Sequence, residues 1–214
     1  MALTKVIGDG VGVLTTADEG KLKIQTGTTS ASYLSFADGD NNRGYVKYDH
    51  NNDSLELGVA GESHFNINNA HILTMDKQPA FQAIPASKQE NMTVNGNTVI
   101  AFGTERFDQN GDFASNSFTA PVTGKYQLNL LFYFTAVDAD ATYVQIELRT
   151  SNKTYYGIFD PAAYDEDATF YGYTMAVLAD MDANDTSSIV IIQGGGSAQM
   201  DVEVSSTFSG YLVC

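Results

Sequence analysis

The chain has 214 residues, 43% of them hydrophobic, which is room for one large domain or for a domain of about 130 residues with an extension. No run approaches the ~18 apolar residues of a membrane-spanning helix. The formal net charge is −15, from 11 basic and 26 acidic residues, and the basic ones are scattered between Lys5 and Lys153 without forming a patch, which argues against a nucleic-acid partner because phosphate binding needs clustered cations.

The first residues, Met1-Ala-Leu-Thr-Lys-Val-Ile-Gly8, hold no sustained apolar run followed by a small-residue cleavage site. Cys214 is the only cysteine, so no intrachain disulfide forms. Both features lead to the expectation of a product made in a reducing cytosol, where the Asn-x-Thr triplets at Asn91, Asn152 and Asn184 carry no glycan. Along the chain no window shows a convincing 3.6-residue apolar period. From 28 to 78 the sequence predicts strand-like pieces of three to five residues separated by Gly, Asn, Asp and Thr, with turns at Asp38-Gly-Asp40-Asn-Asn42 and Asp49-His-Asn-Asn-Asp53 and a connector at 70–77. So sparse a segment rarely buries enough apolar area alone to offset chain entropy, but it can when three copies share a core.

After Pro79 the texture is denser. Tyr126, Leu128, Leu130, Phe132 and Phe134 alternate with Gln127, Asn129, Leu131 and Tyr133. The first set predicts a core face, and the second passes from polar to apolar as a strand does on approaching a subunit contact. Val144, Ile146 and Leu148 alternate with Gln145, Glu147 and Arg149, and Met200, Val202 and Val204 with Asp201 and Glu203. The apolar run 189–192 predicts a strand buried on both sides. Turn signals recur every eight to twelve residues or so, as in an all-β fold.

Candidate chemistry is thin. His50, His64 and His71 all precede Pro79 and show no metal-ligand spacing, and with no histidine after it a nucleophilic triad is not expected there. Asp180, Asp182, Asn184 and Asp185 lack the central Gly and distal Glu of a calcium loop and read as a hairpin turn. Gly194-Gly-Gly196 lacks the residues of a phosphate loop and reads as a flexible loop. Asp165-Glu-Asp167 offers carboxylates but nothing to separate their pKa values, so no enzyme is expected. Five tyrosines, Tyr155, Tyr156, Tyr164, Tyr171 and Tyr173, crowd one stretch. Tyrosine suits glycan or protein recognition, and it equally lines cores and subunit contacts. Tyr155, Tyr156, Asp160 and Tyr164 are the candidate receptor-binding residues.

Two segments carry a resemblance. Phe118-Thr-Ala-Pro-Val-Thr-Gly-Lys-Tyr126 and Ser206-Thr-Phe-Ser-Gly-Tyr-Leu-Val213 resemble the mid-domain and closing strands of the C1q/TNF-like jelly roll. Pro79-Ala-Phe-Gln-Ala, Val99-Ile-Ala-Phe102, Phe107-Asp108 and Phe113 fall in the same order as in that family. The usual Gly-Asp turn before the penultimate strands is replaced by Ala179-Asp-Met-Asp-Ala-Asn-Asp185, which bears on loop geometry. The resemblance implies an all-β jelly-roll sandwich head over 79–214, a homotrimer and a binding role without catalysis. It also implies calcium at Asp138 and Asp140 near the trimer axis, against the alternative of a solvated acidic turn.

A second set, Tyr33-Leu-Ser-Phe-Ala-Asp-Gly39, Gly44-Tyr-Val-Lys-Tyr-Asp-His50, Ser54-Leu-Glu-Leu57 and His64-Phe-Asn-Ile67, resembles shaft modules of bacteriophage tail-fibre and related adhesin proteins. It implies a short trimeric β-rich shaft and connector over 28–78, with strands of three chains intertwined and His50 bonding between chains. Residues 1–27, including Ile7-Gly-Asp-Gly-Val-Gly12, would then attach the fibre to other virion proteins. The expectation is a homotrimeric virion fibre protein, made in the host cytoplasm, whose head adheres to a host-surface glycan or protein. A capsid-decorating head fibre and a soluble C1q-like lectin are the alternatives.

Overall fold

The computed structural model describes residues 11–16, 19–24, 26–38 and 43–214, with only the backbone described over 11–16 and 19–23. The first ten residues of the expected attachment segment and the turn at 39–42 lie outside them. The chain divides into two compact units, Met1–Lys77 and Gln78–Cys214.

The first unit opens with a hairpin of β1 (Val11–Thr16) and β2 (Glu19–Ile24). A five-stranded antiparallel meander follows in chain order, from β3 (Ala31–Phe36) through β4 (Gly44–Asp49), β5 (Ser54–Val59) and β6 (Glu62–Ile67) to β7 (Leu73–Thr74). The four longer strands run six residues each, more than the short pieces read from the sequence, and the segment read as a connector supplies β7. Turn chemistry accounts for the regularity. Asp49 accepts from the Asn51 N–H at 3.0 Å in the β4–β5 turn, where Asp53 takes a left-handed φ of 48°. Ala60 and Gly61, at φ 55° and 84°, make the two-residue β5–β6 link that suits the right-handed strand twist.

The second unit is a sandwich of two antiparallel sheets. Its strands are β8 (Ala80–Ile84), β9 (Thr98–Val99), β10 (Thr104–Asp108), β11 (Phe113–Ala114), β12 (Ser117–Thr119), β13 (Gly124–Val137), β14 (Tyr143–Thr150), β15 (Thr154–Phe159), β16 (Ala168–Met181), β17 (Thr186–Gly194), β18 (Asp201–Val202) and β19 (Thr207–Leu212). One sheet runs β10-β8-β19-β13-β16, with β18 also on β13, and the other β11-β12-β17-β14-β15, with β9 on β17. This is the jelly-roll sandwich expected from the sequence.

Strand alternation builds the core. Tyr126, Leu128, Leu130, Phe132 and Phe134 of β13 are buried and face Val144, Ile146, Leu148, Ile189 and Ile191 of the other sheet. Phe81 of β8 ties the two sheets together, stacked on Phe118 at 4.7 Å and edge-on to Phe208 at 5.0 Å. The Tyr126 hydroxyl donates to the Val122 carbonyl at 2.7 Å, so its burial leaves no polar atom unpaired. Phe159 of β15, stacked at 4.2 Å on Tyr171 of β16, packs against this core along the side where the two sheets end.

Two differences from the sequence reading concern the end of the chain. The alternating run 200–204 forms only the two-residue β18, because the Ser206 N–H bonds back to Glu203 and turns the chain, leaving Val204 exposed. Gly194-Gly-Gly196 does not form the flexible loop its composition suggests. The Gln193 amide donates to the carbonyls of Gly195 and Ser197, at 3.1 and 2.8 Å, and the buried Asp138 carboxylate accepts the Ser197 N–H.

The two signature stretches also acquire a physical reason for their glycines. A Cβ on Gly210 would lie 2.6 Å from Leu128 Cδ2 and 2.9 Å from Phe81 Cε1, and one on Gly124 would lie 2.6 Å from the Cys214 carbonyl oxygen. Gly210→Ala therefore forces the Phe81 and Leu128 side chains apart. It is expected to cost about 1–3 kcal/mol of unfolding free energy, read as a lowered denaturation midpoint at fixed protein concentration.

Candidate functional site: an uncharged sheet face with a charged rim

The outward face of the β13 sheet is set by the same alternation that builds the core. It presents Gln127, Asn129, Leu131 and Tyr133 from β13 and Gly172, Thr174, Ala176 and Leu178 from β16. Thr207, Ser209 and Tyr211 of β19 and Gln82 of β8 continue it, and Phe107 of β10 stands beside Gln82. None of these side chains is charged, in a chain with 37 (11 + 26) charged residues among its 214. Leu131, Leu178, Tyr211 and Phe107 are each 45–57% exposed. A flat, charge-free face with large apolar side chains in water has the composition of the centre of a protein interface.

Charge returns at both ends of the strands. At one end Lys125 pairs with Asp180. At the other, Lys88 Nζ lies 2.6 Å from Asp201 and 3.2 Å from Glu203, and the Thr135 hydroxyl donates to Glu203 at 2.9 Å. Burial pushes the Asp201 carboxyl up, but the Lys88 ammonium, the Asn91 N–H at 2.8 Å and Thr135 together outweigh it and hold the group below its ordinary value. Hydrogen bonds to Asp201 and Glu203 raise Lys88 correspondingly. Sequence reasoning missed this network, whose members lie far apart in the chain and match no motif.

The expected receptor-binding residues divide by strand face. Tyr156 points outward from β15 and is 67% exposed. Tyr155, one position before it, faces inward against the core with Lys153 Nζ 5.0 Å above its ring. Asp160 caps the single 3-10 turn Pro161–Ala163 by accepting from the Ala162 N–H at 2.9 Å. Tyr164 lies exposed in the same loop, edge-on to Tyr171 at 6.3 Å. The β15–β16 loop thus brings Asp160 and Tyr164 together, whereas Tyr155 and Tyr156 face opposite ways.

Within one protomer Asp138 is engaged with backbone and Asp140 stands on the surface. Both Asp138 oxygens hold backbone, the Asp140 N–H at 2.9 Å and the Ser197 N–H, and Asp138 is buried while Asp140 is exposed. Calcium takes six to eight oxygens, and among the described residues no three acidic, His or Cys side chains group to hold a metal. Residues 180–185 form the β16–β17 hairpin turn, with the Asp182 N–H on Asp185 at 2.9 Å. His50, expected to bond between chains, bonds within its own chain to the Ser32 hydroxyl at 3.1 Å, since the β3–β4 register continues to His50 opposite Ser30, diagonal to Ser32 on the same face.

Two sheets in jelly-roll order, one with an uncharged outer face and ion pairs at its strand ends, make up the second unit. The sequence profile of the C1q domain matches residues 80–213, and the chain belongs to the C1q domain family. Domains of the C1q/TNF class are commonly trimeric binding modules and are generally not enzymes. Among solved structures, the globular domain of the zebrafish complement 1qA protein is similar at 16% identity, covering 64% of this chain and 98% of that one with a TM-score of 0.48. Murine APRIL, at pH 8.5, is similar at 10% identity, covering 64% and 100% with a TM-score of 0.47. No curated protein sequence matches the chain.

A carboxyl held low in the folded state contributes stability above its unfolded pKa, near ~3.9 for Asp, and loses that contribution as the pH falls through the folded value. The denaturation midpoint is expected to drop between pH 5 and pH 3, and to drop less in Asp201→Asn. Equal losses in the two proteins would remove Asp201 from the account.

Proposed function

We propose that the protein is a homotrimeric fibre protein of a virus particle, with a C1q head that adheres to a host surface. The observation that carries the reading is that, among the described residues, each unit has an apolar or uncharged sheet face on which large apolar side chains stand exposed. On the meander, Leu34, Phe36, Val46, Leu55, Leu57, Val59, Phe65 and Ile67 fall on one side by register. Lys47, Asp49 and Glu56 pair on the other, Lys47 lying 3.0 Å from Glu56 and 3.5 Å from Asp49. Phe36 and Val59 are 60% and 63% exposed. A single-layer sheet has no second layer to cover such a face, and stable domains are built of two packed layers.

Three copies supply what one lacks. C1q/TNF relatives form trimers, and the uncharged face of the β13 sheet is a surface such a trimer can bury. Holding three heads together raises the effective concentration of three meanders, so their apolar faces can close on each other as a shaft. Avidity then gives a weak head site useful adhesion. The fibre-like sequence of 33–67, with self-paired strands, supports a shaft whose chains pack face to face in place of the strand intertwining expected from sequence.

Light scattering on the purified chain is expected to give a mass near three times the protomer's 23.1 kDa. Leu131→Lys, which places a charge at the centre of the uncharged face, is expected to give a folded protomer by circular dichroism with most of the trimer lost; a monomeric unmodified chain would overturn the assembly. For the virion reading, mass spectrometry of particles purified from the producing host is expected to find the chain as a structural component. Its absence from the particles would overturn that part.

A further inference from the structure

We propose that a groove at the charged rim of the β13 sheet binds an uncharged saccharide unit of pyranose size. The groove encloses about 480 Å3 and is lined chiefly by Lys88, Asp167, Phe170, Gln199, Asp201 and Glu203, a volume inside the ~300–1,000 Å3 of small-molecule sites. It comes from an irregularity in β13. Thr135 pairs with Phe170 and Val137 with Ala168, so the register is kept, but the ladder is interrupted between them, where Ala136 stands opposite Thr169 and takes a left-handed φ of 52°. A left-handed residue inside a strand is uncommon outside glycine and breaks the regular run of side chains along it.

The lining joins two kinds of surface. Phe170 is 65% exposed and held as a plate by Tyr133, stacked at 5.8 Å with 16° between the rings. Around it stand polar groups whose positions are already fixed. Asp167 accepts from the Ala139 N–H at 2.9 Å and from the Gln199 amide nitrogen at 2.8 Å, which leaves the Gln199 carbonyl oxygen to face a ligand. Lys88 is clamped between Asp201 and Glu203. Ordering such groups on binding costs little because they are ordered beforehand. A flat apolar ring beside fixed acceptors and donors matches a pyranose, which has one C–H face and a girdle of hydroxyls that both donate and accept.

Charge narrows the class. Three carboxylates face one ammonium in the groove, within a chain of net charge −15, so a uronic acid, a sialic acid or a phosphate would be repelled. An apolar ligand would desolvate the carboxylates without return. The volume is several times that of a lone ammonium group, and Lys88 already occupies two of the carboxylates. Phe170 stands in the row next to Tyr133 and Gly172, at the edge of the proposed trimer contact, so three such grooves per head would bind a multivalent surface by avidity. The site deepens the adhesion reading and rests on it only for its biological use.

The test is saturation-transfer NMR and calorimetry on the full chain with neutral probes, the methyl glycosides of glucose, galactose, mannose and N-acetylglucosamine, against methyl glucuronide as the anionic probe. Saturable binding of at least one neutral glycoside is expected, with little or none of the glucuronide. Gln199→Ala, with its assembly state verified by light scattering, should weaken that binding about tenfold, and Phe170→Ser should abolish it. Failure of every neutral glycoside to bind, equal binding of the glucuronide, or binding unchanged in both variants would each overturn the proposal. None of these results alters the trimer mass or the particle composition, so the fibre reading stands or falls separately.

Discussion

Strand β13 sets two surfaces with one backbone. Its inward side chains are the centre of the sandwich core, and its outward ones, from Gln127 to Tyr133, form the middle of a face without charge. The strand runs fourteen residues and is paired along both edges, with β16 on one side and β19 and β18 on the other. Central placement fixes its register strongly, because a one-residue slip would exchange the core set for the outward set. Phe81, Phe118 and Phe208 then lock the two sheets around it. The outer face is as fixed as the core, since one alternation determines both.

Electrostatics follow from the same division. With a net charge of −15 the chain repels itself, and an interface between copies has to be placed where that repulsion is least. On β13 and its direct neighbours β16 and β19 the charges lie at the strand ends, where the lysines sit in ion pairs. Lys125 is held by Asp180 at one end, and Lys88 by Asp201 and Glu203 at the other. The exposed Lys125–Asp180 pair contributes little to stability, whereas Asp201 is buried and its carboxylate is held by Lys88, Asn91 and Thr135. Both mark where the uncharged field stops.

The sandwich was legible because its information is periodic and local. Alternation over 126–134 and 144–149 gives strands, inward faces and, for β13, the change from polar to apolar along the outer side. The signature glycines were legible as motif members, although only the packing of Gly210 against Leu128 and Phe81 explains them. What escaped was whatever depends on distant partners. Alternation over 200–204 suggested a strand, but a turn closed by Ser206 and Glu203 ends it after two residues. Tyr155 and Tyr156 read as one patch because composition ignores which side of a strand a residue faces. The Lys88–Asp201–Glu203 cluster and the groove beside Ala136 have no local signature, since the left-handed turn of the backbone at Ala136 and the return of β18 create them.

The meander shows the same limit from the opposite side. Its pieces read as too sparse to fold, yet turn residues and register give four paired strands of six residues with all the larger aliphatic side chains of their centres on one side. Local hydrogen bonding can build such a sheet without burying that side, because ladder bonds satisfy the backbone whatever the side chains face. The consequence is a layer stable in its pairing and incomplete in its burial. Phe36, Leu57 and Val59 stand exposed on one side of the layer, opposite the side that carries the Lys47 ion pairs. In the proposed trimer, identical layers would be held at high local concentration, so the assembly and the shaft of that proposal answer one requirement for apolar contact.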